Sequence, residues 1–315
     1  MYKNFLLIFV VISFISCNAQ NTIEMEEIKS SEIIKLINKG EAVQVIGKRI
    51  SGDLDFTTVE NIVIESLGAK RAYIEVPVTF VKCEFGGNIF ANGEKDKFSC
   101  MVYFDKNVTF SDCKFEGELN FREAVFNGIV NFNGTTFNKE VKFEGTSFRF
   151  KNTYFVGCYF AEECRFQQAN FAGDVSFMKS TFVSKGRFQR VTVKGKTHFG
   201  ESKFLADALF TTSTFDQGII FNYADFSQNM DMKNATIYQN VEISNVQFAG
   251  TANFSKSMFF GKVSLDETIF LGVFDISEST FLYNPDFSTT KYTSLNSENA
   301  KVVETKEIEI LKNKQ

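Results

Sequence analysis

The residues able to do chemistry in this 315-residue sequence are few. His198 is the single histidine, and it precedes Phe199 on what should be the outward side of an extended segment. A solvated face is the expected reading there, since a lone imidazole has no second ligand or nucleophile at a useful spacing. Cys83, Cys113, Cys158 and Cys164 each fall two residues before an apolar position that recurs along the chain, which makes them inward-facing core thiols. Cys83 and Cys113 are spaced to stack, but parallel inward side chains hold their Cβ atoms too far apart for a good disulfide. No Cys-x-x-Cys, P-loop, dinucleotide fingerprint or Ser/His/Asp arrangement is present. No catalytic, cofactor-binding or metal-ligating residue is therefore expected. The one regular charged set is Lys142, Arg165 and Arg187, with Asn120 below and Leu209 above. Such a stripe could grip an anionic sugar or a phosphate, weighed against an ordinary solvated face. A net charge of −4 gives no basic footprint, so nucleic acid is not an expected partner.

The first residues carry an address. Lys3 supplies a short basic start, residues 5–14 are apolar, and the run is too short to span a bilayer. Phe14-Ile15-Ser16 before Cys17 resembles the lipobox of bacterial lipoproteins. That resemblance implies cleavage before Cys17, a lipid on Cys17, and an exported protein held on a membrane, the bacterial outer membrane being the expected place.

The elements that would position any surface residue are set by phenylalanine, which numbers 39. From Phe110 onward apolar residues alternate steps of five and six. One ladder runs through Phe110, Phe121, Phe132 and Phe143, and then from Phe155 to Phe287; the other runs from Phe115 through Phe126, Phe137 and Phe148 to Phe281. One extra residue sits in the interval 149–154. The residue two before each second-ladder position is almost always small, as at Cys113, Ala124, Thr135 and Ser180. Side chains two apart on extended backbone share a face, so both sets should fill one interior. Glycine recurs two after the second ladder, at Gly117, Gly128, Gly173, Gly195, Gly250, Gly261 and Gly272, where it is expected to supply turn conformations.

A small residue, one position, then Phe, repeated about every five, resembles the pentapeptide-repeat family, and the five/six alternation resembles its Phe-rich branch. The resemblance implies an all-β, right-handed quadrilateral β-helix, here with about 22 residues per coil instead of the usual 20. Sixteen units would make eight coils, about 38 Å of rod. Trp, which is absent, would not fit the narrow bore.

The expected organisation is a signal peptide (1–16), a lipid-anchored tether (17–29), a capping helix (30–41), the solenoid (42–287) and a C-terminal cap or tail (288–315). Residues 57–72 read as irregular, and 92–97 read as a loop interrupting a coil. Met258, Phe260, Ile269, Leu271, Leu282 and Tyr283 should face outward, as a patch covered by the tail or by a second subunit; some relatives dimerise through their C-terminal coils. The expected function is a non-enzymatic, membrane-anchored scaffold that presents a rigid binding surface to an envelope protein or glycan. A polysaccharide-acting β-helix enzyme is the alternative, and it would need clustered outward carboxylates. A third role, the DNA mimicry of relatives that protect gyrase, conflicts with the export signal.

Overall fold

The computed structural model describes residues 25–65, 68–95 and 98–303; the signal segment 1–16 and Cys17 lie outside the described residues. The chain winds into a β-solenoid of about 12 coils at a spacing of about 22 residues. Each coil places four short strands on four faces. From Val108–Ser111 on face one the chain passes to Lys114–Phe115 on face two, Leu119–Asn120 on face three and Val125–Phe126 on face four. It then returns to face one at Val130–Asn131, which pairs in parallel with Val108 and Thr109. Face one forms a 10-stranded sheet and face four a 13-stranded sheet. Faces two and three are merged into one 21-stranded sheet by the strand Ile269–Asp275, which runs through both. No helix of the described residues is long and apolar enough to cross a membrane.

The ladders are the core. Every ladder position is buried except Phe287, in the last turns of the solenoid, which is only partly so. Rings on one face stack at the strand spacing: Phe177 lies 4.9 Å from both Phe155 and Phe199, nearly parallel to each. Across the bore it meets Phe166 and Phe188 edge-on, at 5.2 and 5.3 Å. Parallel stacking along the axis and edge contacts across it are the two favoured aromatic geometries, and the repeat satisfies both at once.

Three expectations are corrected. The eight coils counted from the Phe ladder fall short, because 27–104 and 288–302 also build coils. There Val45, Ile74 and Val102 fill inward slots, and so escape a count based on phenylalanine. The described residues of 57–72 are not irregular, and those of 92–97 are not a plain loop; 66–67 and 96–97 lie outside the described residues. Ile62–Ile64 pairs antiparallel with Lys70–Ile74, and Asn92–Lys95 pairs antiparallel with Phe98–Phe104.

The recurring glycines do not serve positive φ. None of Gly117, Gly128, Gly173, Gly195, Gly250, Gly261 or Gly272 has it; a Cβ on each would instead strike the coil below, as on Gly117, 2.4 Å from the Gly87 carbonyl oxygen. Gly173 is the tightest, 1.8 Å from the Lys151 carbonyl oxygen, which lies within the 149–154 interval that holds the extra residue. The left-handed positions fall two after the first ladder and are mostly not glycine: Lys179, Arg190, Glu201, Thr212 and Tyr223 all have φ between 58 and 61°.

The small inward column does more than save space. Ser180 Oγ donates to the Phe155 carbonyl at 2.6 Å and accepts the Cys158 N–H at 2.9 Å. Ser213 and Ser257 repeat both bonds, to Phe188 and Val191 and to Met232 and Ala235. A buried hydroxyl thus satisfies two backbone groups of the coil below, which would otherwise be left unpaired in an apolar interior.

At the N-terminal end, Glu27–Lys29 is itself a rung, paired with Arg49–Ser51. The helix Ser30–Asn38 follows and buries Ile33 and Ile37 against the core. At the other end Lys291–Asn296 and Lys301–Val302 add strands; 304–315 lies outside the described residues.

Candidate functional site

The charged stripe is where the spacing puts it, on face three: Lys142 pairs in register with Arg165, and Arg165 with Arg187, between Asn120 and Leu209. A column of glutamates runs beside it. Lys142 Nζ is 2.6 Å from Glu118 and 3.0 Å from Glu140. Arg165 reaches Glu140 at 2.5 Å, Glu163 at 2.9 Å and Glu144 at 3.7 Å, and Arg187 reaches Glu163 at 2.5 Å. The result is a zipper of alternating charge climbing the coils, in which three cations face four carboxylates. Its field is not that of an anion cradle, because every cation has a carboxylate at contact distance. Burial raises the Glu144 carboxyl above its usual range.

His198 is half-buried, with Ser176 and Ile220 as its register neighbours on face one. Its Nδ1 accepts the Gly200 N–H at 3.0 Å, which leaves Nε2 as the protonated nitrogen. The ring thus caps its own turn, and burial lowers its pKa. Cys83, Cys113, Cys158 and Cys164 are buried free thiols. Burial pushes Cys158 and Cys164 up, away from the reactive thiolate.

The C-terminal apolar set does not form one patch. Met258 and Phe260 belong to face four, where Phe260 stacks on Tyr238 at 5.1 Å, whereas Ile269 and Leu271 belong to face two. Tyr283 is exposed, whereas Leu282 is buried but is not part of the core cluster.

The repeat is broken in one place, and there the surface changes character. Two consecutive coils carry insertions on face four. Lys70–Ile74 and Phe98–Phe104 lie side by side in parallel, flanked by the antiparallel strands Ile62–Ile64 and Asn92–Lys95. The four strands form a lateral wing. On its outward face Tyr73 and Tyr103 stack at 5.1 Å. The guanidinium of Arg71 sits 5.4 Å from the Tyr103 ring centroid and that of Arg149 sits 6.0 Å from it. Arg71 is also bridged to Glu65 at 2.8 Å. Tyrosine and arginine, held rigid by stacking, are the residues most often found at the energetic centre of protein interfaces.

In the sequence Arg71, Tyr73, Tyr103 and Arg149 lie too far apart to read as one cluster. Its signal was present: the thirty-residue offset that relates Val78 to Val108 also relates Tyr73 to Tyr103, as the register shows. The comparison with curated proteins finds no match to this chain. Residues 102–147, which run from the last strand of the wing into the regular coils, match a family model described as pentapeptide repeats (9 copies), and the coils beyond them keep the same geometry.

Proposed function

We propose that this chain is a non-catalytic module, held on a membrane by a lipid at Cys17, that presents the wing to a protein partner in the cell envelope. The pentapeptide-repeat solenoid supports a non-catalytic repeat protein, and its Phe core leaves only outward residues for function. The observation that carries the reading is the break in the repeat. In the regular coils the outward side chains of successive coils stack in columns of mixed residue type, as in Ser176, His198, Ile220 and Glu242, whereas the wing gathers Arg71, Tyr73, Tyr103 and Arg149 at one spot. The Lys142, Arg165 and Arg187 stripe, balanced by its glutamates, is the weaker choice of contact surface.

The test is a photo-crosslinking amino acid at position 101, beside Tyr103, in the full chain in its own membrane. A discrete adduct with one envelope protein, lost with Tyr103→Ala/Arg149→Glu, is the expected result. No adduct, or the same adducts from position 223, removes the reading. Palmitate labelling that persists in Cys17→Ala would remove the anchor.

A further inference from the structure

The strand Ile62–Ile64 ends the 13-stranded sheet, and it is open on its outer side among the described residues. The Tyr73 N–H bonds the Asn61 carbonyl and the Glu65 N–H bonds the Ala69 carbonyl. Alternation along an antiparallel ladder then turns the peptide groups of Val63 toward its neighbour and those of Ile62 and Ile64 toward the open side. Among the described residues only the Ile62 N–H is engaged there, in a tight turn onto the Glu60 carbonyl. Val63 and Ile64 are 50% and 67% exposed.

Other edges of the solenoid are guarded. Glu27–Lys29, Leu54–Asp55, Asn92–Lys95, Lys291–Asn296 and Lys301–Val302 all carry at least one charged residue, Val43–Ile46 has the helix Ser30–Asn38 against it, and Val263–Ser264, which has no charge, is bridged from Ser264 to Asp286. Charge on an edge strand is the usual protection against pairing with another chain. Ile-Val-Ile has none, and its residues are strong strand formers.

We propose that this edge is a homodimer contact, in which two copies join antiparallel about a two-fold axis at Val63. The register follows from the geometry. Ile62 lies opposite Ile64 of the second copy and Ile64 opposite its Ile62, because these are the residues whose peptide groups face out; in each pair the Ile64 N–H donates to the Ile62 carbonyl, and the Ile62 N–H reaches the Ile64 carbonyl by exchanging its turn bond to Glu60 for it. Val63 meets Val63 of the second copy in the close, non-hydrogen-bonded position between them. Asn61 falls opposite Glu65 of the second copy, so no carboxylate faces a carboxylate. The sequence is self-complementary in the way a two-fold interface demands. Two 13-stranded sheets become one, and the two Arg–Tyr clusters are brought to the same side of the dimer, so one anchored pair offers two adjacent contact sites.

The test is Val63→Cys in the full chain, oxidised in intact cells and run on a non-reducing gel. Cα atoms in a non-hydrogen-bonded antiparallel pair are about 4.5 Å apart, within the range a disulfide spans. The expected result is a band at twice the chain mass for most of the protein, while Tyr223→Cys and wild type stay monomeric. Ile64→Pro and Ile64→Lys in the Val63→Cys background should each reduce that band at least about fivefold, with resistance to protease unchanged. A Val63→Cys chain that crosslinks no more than Tyr223→Cys, a band of another mass, or a dimer band indifferent to both Ile64 changes would overturn the proposal. Because the readout is self-crosslinking, it stands or falls separately from the partner adduct at position 101.

Discussion

The regular coils and the wing solve the same packing problem in different ways. In the regular coils every rung is boxed in by an identical rung above and below, so each inward position is fixed by its neighbours. Phe177 touches five other rings, and Gly173 has no room for a methyl group. In the wing the strands are longer and two of them run antiparallel, and Gly93 finds only the Thr57 Cγ2 atom, at 3.8 Å. The difference separates stability from function: what the repeat determines cannot vary, and what escapes the repeat is free to carry a binding surface.

The sharpest contrast is between ring deletions. Phe177→Ala should cost about 3–5 kcal/mol in a urea unfolding titration, because the stacked rings on either side cannot close the cavity. Tyr103→Ala, on the outward face, should cost about 1–2 kcal/mol. Equal losses would mean that the wing is as much core as the coils are. A second pair of changes concerns space. Gly173→Ala forces its Cβ onto the Lys151 carbonyl and should cost about 2–3 kcal/mol, while Gly93→Ala should be close to neutral. A neutral Gly173→Ala would show that the segment 149–154 can move aside.

Smaller effects test the polar details of the regular coils. Ser180→Ala leaves the Cys158 N–H without its acceptor and the Phe155 carbonyl without the serine's bond, for an expected loss of about 1–3 kcal/mol. A cysteine occupies the same column at Cys158, donating to the Phe132 carbonyl at 3.0 Å, so Ser180→Cys should recover part of that loss. Thr212→Asn should run the other way, raising stability by about 0.5–1 kcal/mol, because a β-branched residue at φ 60° is strained and asparagine is not.

The smallest effect is the pH dependence of His198. Its folded pKa lies below 6.5 through burial, so folding favours the neutral ring. That contribution is complete above pH 6.5 and is lost as pH falls through the folded value. The unfolding midpoint should therefore drop between pH 7.5 and 5 by more in the wild type than in His198→Asn. An identical drop in both would assign the loss to other groups.

Much of this architecture was legible because it is periodic. The ladders of Phe110 and Phe115 fix which side chains point inward, and the 22-residue spacing fixes which outward residues stack, Lys142 with Arg165 and Arg187 among them. The same spacing applies to Glu118, Glu140 and Glu163, but that those carboxylates reach across coils to the cations depends on side-chain conformation, which spacing does not carry. Glycine was legible as a signal and misread as to cause: the pattern marks a tight place, and only the neighbouring coil reveals that the tightness is contact and not backbone twist. The wing was hidden for a plainer reason. Where the period lapses, between 57 and 72 and between 92 and 97, alternation over three or four residues does not say which strand pairs with which, or in what direction.

The sequence by itself determined the coil, its repeat length, its aromatic core and the stacking of its faces, because a repeat makes every long-range contact a copy of one local relation. Only the tertiary structure decided that the basic stripe is charge-paired, that buried serines tie one coil to the next, that Leu282 is buried while Tyr283 beside it is exposed, and that Tyr103 is ringed by Tyr73, Arg71 and Arg149. Each of those depends on two segments meeting at a place the period does not specify, and such meetings are settled by packing in three dimensions.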